Sequence, residues 1–557
     1  MNDFLQFRRR RNLWAAGGTG CAVLICLFSN LGAIGFVGPD EPRYAWIARA
    51  MATTGDWVTP RLYGVPWFEK PILYYWAAAC GFAIHLPAEW ASRFPSALAG
   101  LAAALAICWL GWRHYGDEGG FATCPALLAP LIFSASVAAI AFARAATPDM
   151  LFTASLTLAM ASAAGSLQKS AALRANSTQD ESAVRRDQKY LVLFGTFLGL
   201  GVLAKGPAAI LLAGGAVAVW TLATNQWRAA IRLAHPIGIA AFCLVALPWY
   251  LLCALRNPDF LHVFIFQHNF QRYLTPVFQH VQPFWFFLPV TIAALLPWPV
   301  LLIPAAQEGL RIIREKSWAT SPGFFFACWA FFPILFFSFS QSKLPSYILP
   351  AVPPLALLCA VGAVRSLKKS RATVLLLAGG MAAVWLVASV VILHYVSGLM
   401  RAWLEEAPFI LSAKILFAIA VLVSLVLTAC AYRRKLGLAL ALCAFIVVAA
   451  VLYANLRVLP VADLFYSARP HRAFLARDAH PERIFTYRLK RSWNYGLAFY
   501  FERELPEWSP DNLDAALILT TPEGFDALKQ SGRYRGLLDE GYVGILYVPV
   551  LPASRKR

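Results

Sequence analysis

Long apolar runs recur over the first 456 residues of the chain, separated by short polar connections. Each run holds about 18 to 25 residues, the length with which a helix crosses the ~30 Å hydrocarbon core of a bilayer. The pattern predicts an all-α polytopic membrane region. The predicted spans are 12–36, 91–112, 119–141, 149–168, 190–204, 206–224, 232–254, 284–305, 322–341, 345–364, 372–398, 409–431 and 436–456.

The apolar stretch 71–86 is too short to span comfortably. It is rich in aromatic side chains, among them Tyr74, Tyr75 and Trp76, and we interpret it as a helix in the outer interface. Two long outer loops follow from this assignment, 37–90 and 256–283.

Basic side chains cluster in the connections on one side of the predicted spans. Cytoplasmic loops carry an excess of Lys and Arg, so we place these clusters inside. The arrangement predicts thirteen spans, with the N-terminus inside and the C-terminus outside. The clusters are Arg8–Arg11, Arg113, Lys169–Lys189, Arg228–Arg232, Arg311–Lys316, Arg365–Arg371 and Arg433–Lys435.

The composition agrees with a membrane protein, because 59% of the residues are hydrophobic and 14% are charged, whereas soluble proteins carry about a quarter charged residues. The net charge of +20 is explained by cytoplasmic loops that face anionic lipid, and nucleic acid is not an expected partner. The eleven cysteines lie almost wholly in apolar segments and show no zinc-ligand spacing. None falls in the last hundred residues, so that region is not a disulfide scaffold.

Residues 457–557 carry a near-balanced mix of acidic and basic side chains, typical of a soluble unit. The segments 484–487, 515–520 and 542–548 are predicted strands, and 494–501 and 522–530 are predicted helices. We therefore divide the chain into a membrane domain, 1–456, and a small α/β domain on the outer face, 457–557. The small domain is expected to cap the membrane region or to recognise a substrate.

Candidate chemistry falls on the predicted outer face. Two adjacent acids, Asp40 and Glu41, follow the first span, where a carboxylate near hydrocarbon is costly unless something uses it. Acids, bases and a tyrosine from several other connections join them on that side. These residues are Glu69, Lys70, Arg144, Asp149, Lys205, His268, Arg272, Lys343 and Tyr347.

Such a mixture suits a ligand that has both a phosphate and a sugar. Cations would neutralise the phosphate oxygens, and a carboxylate would orient or deprotonate the acceptor or bind an amine. The aromatic loops would surround an acyl or isoprenoid chain. The plain alternative is that each Lys or Arg extends to the interface and each Tyr or Trp is a generic anchor.

Several short motifs keep one order along the membrane region. They are Pro39-Asp40-Glu41 with Arg43-Tyr44, Gly55-Asp56-Trp57, Phe68-Glu69-Lys70-Pro71, Thr147-Pro148-Asp149, Lys205-Gly206-Pro207 and the run from Lys343 to Pro350. Together they resemble the bacterial aminoarabinose transferases of lipid A, within the GT-C glycosyltransferase superfamily. The Asp-Glu pair marks the superfamily, and the motifs at 68–71 and 343–350 favour this branch. The C-terminal domain carries no matching motif.

The resemblance implies a multi-pass protein of the bacterial inner membrane, with thirteen spans and with its active site and C-terminal domain in the periplasm. It implies transfer of 4-amino-4-deoxy-L-arabinose from undecaprenyl phosphate to a lipid A phosphate. That modification lowers the negative charge of the outer membrane and weakens the binding of polymyxin and cationic peptides. A single displacement with inversion at the anomeric carbon is expected.

Residue roles follow from the resemblance and the charge pattern. The catalytic candidates are Asp40, Asp149 and Glu41; the job of Asp40 stays open between base, positioning group and ligand of the donor's ammonium. The candidates for the donor phosphate are Lys70, Arg272, Tyr347, Lys343 and Lys205. The substrate-binding candidates are Glu69, Arg43, Tyr44, Tyr63, Tyr74 and His268.

No cofactor or metal is expected to be required; Glu69 with His268 is the one pair considered for a divalent metal, and no full ligand set is visible. The expected partners are the undecaprenyl phosphate-linked donor, lipid A and membrane lipids, with the chain as a monomer. The alternative enzyme is a polyprenyl-phosphate-dependent transferase like the protein O-mannosyltransferases, whose acceptor is a hydroxyl. A transporter fits less well, because the charges cluster at one interface and no repeat symmetry stands out.

The predicted topology has a direct test. A reporter that is active only in the periplasm, fused after Arg557, should give a signal, because thirteen spans carry the C-terminus outward from a cytoplasmic N-terminus. The matched control is the same reporter fused within 169–189, which should stay silent. A silent fusion after Arg557 would contradict an odd number of spans.

Overall fold

The computed structural model describes residues 2–116, 124–167, 181–271, 281–366, 371–406, 413–475, 483–509, 511–512, 514–530 and 545–550. In the part before residue 272 the α-helices are α1 (Asn2–Phe28), α2 (Asp40–Thr54), α3 (Leu73–Ala83), α4 (Ala88–Tyr115), α5 (Pro125–Ser134), α6 (Val137–Ala143), α7 (Asp149–Leu167), α8 (Glu181–Lys205), α9 (Ala208–Thr224), α10 (Trp227–Arg232) and α11 (Pro236–Arg256). A π-helix follows at His262–Gln271.

The later membrane helices are α12 (Phe287–Ala294), α13 (Leu302–Arg314), α14 (Pro322–Ser338), α15 (Val352–Ser366), α16 (Arg371–Glu406), α17 (Ala413–Tyr432) and α18 (Leu436–Tyr453). Short 3-10 turns at Phe284–Phe286, Pro299–Leu301 and Pro345–Ala351 precede α12, α13 and α15, and a π-helical turn, Ala454–Val458, follows α18. The C-terminal region adds α19 (Leu459–Tyr466), α20 (Arg469–Leu475), α21 (Arg491–Phe501) and α22 (Pro522–Lys529).

The apolar runs do form helices, which confirms the polytopic helical membrane fold. Among the described residues, five helices are long and apolar enough to cross a bilayer, and two bent helix pairs raise this to seven if each pair is one span. Shorter apolar helices, such as Ala208–Thr224 and Pro322–Ser338, stand at other predicted spans. The count of thirteen stays a prediction.

Two predicted spans are broken, where the sequence indicated continuous helices. The chain turns by 63° between α5 and α6, and by 110° between Phe284–Ala294 and Pro299–Arg314. Pro297 and Pro299 supply no backbone N–H at the second break, so the helical ladder stops there. An apolar run specifies burial in lipid, but it does not specify a straight path.

The two breaks satisfy each other's backbone groups. The N–H of Val137 donates to the carbonyl of Leu296 at 3.1 Å, and the indole of Trp298 donates to the carbonyl of Ala135 at 3.3 Å. Trp298 is completely buried. Because unpaired backbone groups are expensive inside a bilayer, broken helices persist there when other protein groups bind the freed donors and acceptors.

The first long loop contains α2, a two-stranded antiparallel hairpin of β1 (Arg61–Leu62) and β2 (Val65–Pro66), and then α3. With 11 residues, α3 is too short to cross a bilayer, as the sequence predicted. The Tyr74 hydroxyl donates to the carbonyl of Ser92 at 2.7 Å, which ties α3 to the start of α4.

The C-terminal region contains a three-stranded sheet in the order β3 (Ile484–Tyr487), β4 (Ala516–Thr520) and β5 (Leu546–Val550). The pair β3–β4 is parallel and the pair β4–β5 is antiparallel. The predicted strands agree with β3 and β4 to within one residue, while β5 begins four residues later than predicted. The predicted start, 542–544, lies outside the described residues.

The C-terminal region packs directly on the loop after α1. The amide of Phe36 donates to the hydroxyl of Tyr500 at 2.9 Å, and the amide of Gly35 donates to Asp463 at 2.6 Å. Rings of Phe36 and Phe499 meet edge to face at 4.8 Å. The division at residue 456 therefore separates two parts that share contacts next to the Asp40 motif.

Helices α8 and α11 touch through their backbones at Gly195 and Gly238. A Cβ added to Gly195 would lie 1.9 Å from the carbonyl oxygen of Gly238, which no real contact allows. A Cβ added to Gly214, in α9, meets nothing within 4 Å.

We expect Gly195→Ala to lower the melting temperature in detergent, because overpacking forces α8 and α11 apart and costs about 1–3 kcal/mol. Gly214→Ala is the matched control; it should be neutral or gain up to ~1 kcal/mol, since Ala is the better helix former. Equal melting temperatures for the two variants would contradict the backbone contact.

Candidate functional site

The Asp-Glu motif forms the first turn of α2, directly after Pro39. Two carboxylates at this position are favoured by the positive end of the helix dipole. Their surroundings differ sharply, because the Asp40 side chain is 53% exposed whereas that of Glu41 is 10% exposed.

Glu41 is held by a buried ion pair with Arg93 of α4. The guanidinium donates to both oxygens of the carboxylate, at 3.0 Å and 2.7 Å. The backbone amides of Val37 and Ala146 also donate to it, at 2.9 Å and 2.8 Å. Four donors occupy this carboxylate, so the geometry favours a positioning role for Glu41, and its assignment as a catalytic residue stays an untested prediction.

The remaining donors of Arg93 bind the backbone after α1. They reach the carbonyls of Leu31, Ile34 and Gly35 at 2.6–2.8 Å. Sequence reasoning did not select Arg93. The sequence does place this arginine near the start of an apolar span, which indicates a functional or structural partner, because a charge there costs free energy unless it is paired.

Asp40 belongs to a second ionic cluster, which Arg43 connects. The guanidinium of Arg43 donates to Oδ1 of Asp40 at 2.5 Å and lies 3.1 Å from Oε2 of Glu69. The ammonium of Lys70 lies 3.5 Å from Oε1 of Glu69. The structure thus brings the Asp-Glu and Glu-Lys motifs together, as the sequence predicted for one face.

Aromatic rings surround the guanidinium of Arg43. Its carbon lies 5.3 Å from the ring centres of both Tyr44 and Trp67 and 5.7 Å from that of Tyr495. Burial opposes its charge, but the carboxylates of Glu69 and Asp40 outweigh the burial and raise the pKa of the guanidinium. Arg43 therefore stays protonated and keeps two carboxylates in place.

A third cluster combines Asp149, Lys205 and Tyr347. The ammonium of Lys205 donates to the carboxylate of Asp149 at the start of α7. It also lies 5.3 Å from the ring centre of Tyr347 and 5.6 Å from that of Phe152. Attraction between an ammonium and an aromatic face contributes to holding Lys205 here.

Lys343 lies apart from these contacts. Its ammonium donates to the carbonyl of Ser340 at 2.6 Å, and the residue is buried. Burial lowers the pKa of this ammonium. The structure does not pair Lys343 with any described carboxylate, and its role toward the donor phosphate stays a prediction.

The predicted substrate-binding tyrosines are mostly packed inside the protein. Tyr44 and Tyr74 are buried, with ring centres 6.0 Å apart. Tyr63 sits at φ 52° in the hairpin turn, with its ring centre 4.7 Å from that of Trp46 and 6.4 Å from that of Tyr495. These contacts shape the aromatic wall around Arg43.

A cavity of about 470 Å³ lies beside the motif. Asp40, Glu41, Arg93, Arg144 and Thr147 are among the side chains that line it. Arg144 donates to the carbonyl of Ser29 at 2.6 Å and to the side-chain oxygen of Asn455 at 2.7 Å. One wall of the cavity is thus built by the connection between α6 and α7, immediately before Asp149.

Arg272 lies outside the described residues, and so does the side chain of His268. Their predicted roles, including a metal bound by Glu69 and His268, stay predictions. Within the described ranges no group of three or more His, Cys, Asp and Glu side chains is arranged to hold a metal ion.

Residues 23–264 match the family of dolichyl-phosphate-mannose-protein mannosyltransferases. Over 322 residues the chain is 34% identical to the undecaprenyl phosphate-alpha-4-amino-4-deoxy-L-arabinose arabinosyl transferase of Edwardsiella ictaluri, covering 58% of this chain and 54% of that protein. The protein of the same name from Aeromonas salmonicida is 32% identical over 333 residues, which cover 60% and 57%. The chain spans about half the length of these relatives in the matches.

The fold is similar to two crystal structures of ArnT from Cupriavidus metallidurans. The structure bound to undecaprenyl phosphate has a TM-score of 0.77 at 24% identity, covering 96% of this chain and 98% of that one. The apo structure has a TM-score of 0.76 at 23% identity, covering 97% and 98%. The likeness establishes the fold, and the sequence matches confirm the resemblance that the motifs predicted.

Arg93→Met should destabilise the protein by about 3–5 kcal/mol, because it leaves the Glu41 carboxylate buried without its cation. Thermal unfolding in detergent measures this. Arg61→Ala is the control; it removes a partly exposed pair with Asp56 at 3.5 Å and should cost less than ~1 kcal/mol. Comparable stability of the two variants would show that the buried pair does not anchor the motif.

Proposed function

We propose that this chain is a glycosyltransferase that moves 4-amino-4-deoxy-L-arabinose from undecaprenyl phosphate to a lipid A phosphate. The observation that carries the proposal is the convergence of Asp40, Glu69 and Lys70 around Arg43. Two separated motifs that resemble those of the aminoarabinose transferases thereby form one charged site. The sequence similarity to transferases of that name supports the same activity.

We assign the donor phosphate to the Lys70 side of the site. In a single displacement with inversion, the bond from the anomeric carbon to the phosphate oxygen breaks as the acceptor oxygen attacks. Lys70 would stabilise the negative charge that grows on the leaving phosphate, with Arg272, Lys205, Lys343 or Tyr347 assisting. Loss of one such donor costs about 2.7–4 kcal/mol in well-studied enzymes.

Asp40 is suited to the substrate because its carboxylate is half exposed while Arg43 holds one of its oxygens. A lipid A phosphate is already ionised near neutral pH, so it hardly needs a general base. We therefore propose that Asp40 binds the donor's ammonium or positions the sugar. Asp149, paired with Lys205, is the second carboxylate available for that task.

We place the acceptor phosphate in the cavity beside Asp40. Arg144 lies on its wall, half-buried; its terminal nitrogens are held by Ser29 and Asn455, and its fixed positive charge would attract a phosphate. An acceptor in this cavity would lie beside the Asp40 carboxylate, which is one of its lining groups.

The finer topology is part of the proposal. We propose thirteen spans in the bacterial inner membrane, with the site and the C-terminal region in the periplasm and the chain acting as a monomer. The basic clusters in the opposite connections support this orientation.

A polyprenyl-phosphate-dependent transferase with a hydroxyl acceptor is the second candidate. The match of residues 23–264 to the protein mannosyltransferase family favours it. In that case Asp40 would act as a general base, because a hydroxyl must lose its proton when it attacks.

Mass spectrometry of lipid A tests the proposal in a polymyxin-sensitive host that makes the donor but lacks its own transferase. The wild-type chain should add the aminoarabinose mass increment, and Asp40→Asn should abolish it at equal expression and melting temperature. Asp56→Asn is the matched control from the same loop; it should retain transfer, because asparagine can still cap the turn that Asp56 forms with Val58 and Thr59.

No increment from a well-expressed wild-type chain would reject lipid A as the acceptor and favour the hydroxyl acceptor. Full activity of Asp40→Asn would remove Asp40 from the site.

A further inference from the structure

Helix α21 of the C-terminal region extends an aromatic side chain into the Arg43 cluster. The ring of Tyr495 lies 5.7 Å from the guanidinium carbon of Arg43 and is stacked on the ring of Tyr63 at 6.4 Å. The two other rings around Arg43, those of Tyr44 and Trp67, belong to the first long loop. One wall of the cluster is therefore supplied from more than 400 residues further along the chain.

The position of Tyr495 is fixed by its own helix. Arg491, one turn earlier, donates to the hydroxyl of Tyr495 at 3.4 Å and lies over its ring at 5.8 Å. At the other end of α21, the guanidinium of Arg49 lies 4.1 Å from the ring centre of Phe499 and donates to its carbonyl at 3.1 Å. These contacts join α21 to α2, the helix that begins with Asp40.

The aromatic rings around Arg43 help to hold its guanidinium in place, because hydrogen bonds hold it only partly. Its terminal nitrogens pair with Asp40 and Glu69, while its Nε finds no hydrogen-bond partner in the described part of the chain. Aromatic faces attract a guanidinium through the ring quadrupole, and the attraction is stronger where the contact is buried. Without the ring of Tyr495, Arg43 loses a wall and gains freedom to rotate away from both carboxylates.

We propose that Tyr495 is a positioning residue of the transfer site, acting through Arg43 on the carboxylates of Asp40 and Glu69. The inference rests on the proposed function, and it gives the C-terminal region a role in that function. The C-terminal region completes the set of aromatic rings around Arg43 and so helps to hold the two carboxylates in the position that binds the donor. The ring performs this role, because the bond from Arg491 to the hydroxyl is long and exposed, whereas the contact of Arg491 with the ring does not need the hydroxyl.

The test measures transfer by purified full-length protein from the lipid-linked donor to lipid A. Tyr495→Ala should lower kcat/KM for the donor about 10-fold, the kinetic equivalent of one partly desolvated cation–ring contact. KM for the acceptor and the melting temperature should stay near wild type. Tyr495→Phe should restore activity, because it keeps the ring.

A double-mutant cycle with Arg43→Lys tests whether the effect passes through Arg43. In the Arg43→Lys background the planar guanidinium is gone, so Tyr495→Ala should lower kcat/KM for the donor little further. Tyr487→Ala is the matched control: its ring also faces a cation, Arg488 at 5.4 Å, and belongs to strand β3. It should leave transfer unchanged.

Wild-type kinetics in Tyr495→Ala, losses that add in the double mutant, or an equal loss in Tyr487→Ala would each overturn the inference. If the wild-type chain transfers no aminoarabinose, the proposed function fails separately. Binding of undecaprenyl phosphate-linked donor by the same variants then decides: weaker binding in Tyr495→Ala, restored in Tyr495→Phe, supports the inference, and equal binding overturns it.

Discussion

The buried ion pair between Glu41 and Arg93 is the constraint on which the candidate site depends. Two charges taken out of water cost several kcal/mol each unless every donor and acceptor is satisfied. Here the carbonyls of Leu31, Ile34 and Gly35 and the amides of Val37 and Ala146 complete the set. The pair thus joins the loop after α1, the start of α4 and the connection before α7. Its neighbour Asp40 is left half exposed, on a rigid support.

Around this anchor, the protein assembles its charges in clusters with different surroundings. Arg43 holds Asp40 and Glu69 inside a ring of aromatics, and Lys205 pairs with Asp149 beside Tyr347. Aromatic walls lower the local polarity and strengthen the ionic contacts, while the pairing keeps the charges from being isolated. The C-terminal region takes part directly, since Tyr495 contacts Arg43 and Tyr500 contacts Phe36.

The sequence predicted the features that depend on local pattern. Apolar length predicted the helices, and the short stretch 71–86 predicted a helix too short to span, which is α3. Charge predicted the Asp40, Glu69 and Lys70 motifs on one face, and the structure brings them together. The breaks at 135–136 and 295–298 were missed because an apolar run specifies burial in lipid but does not specify whether the helix is straight or bent. Arg93 and Tyr495 were missed because their partners are far away in sequence, and the saturated hydrogen bonding of Glu41 is visible only in three dimensions.

The most direct test of the account is a cryo-EM structure of the chain with bound undecaprenyl phosphate. We expect the phosphate within hydrogen-bond distance of the Lys70 ammonium, on the face where Arg43 holds Asp40, with the Glu41–Arg93 pair intact. A phosphate bound in a different part of the protein, away from both Lys70 and Asp40, would contradict the central claim that these motifs form one transfer site.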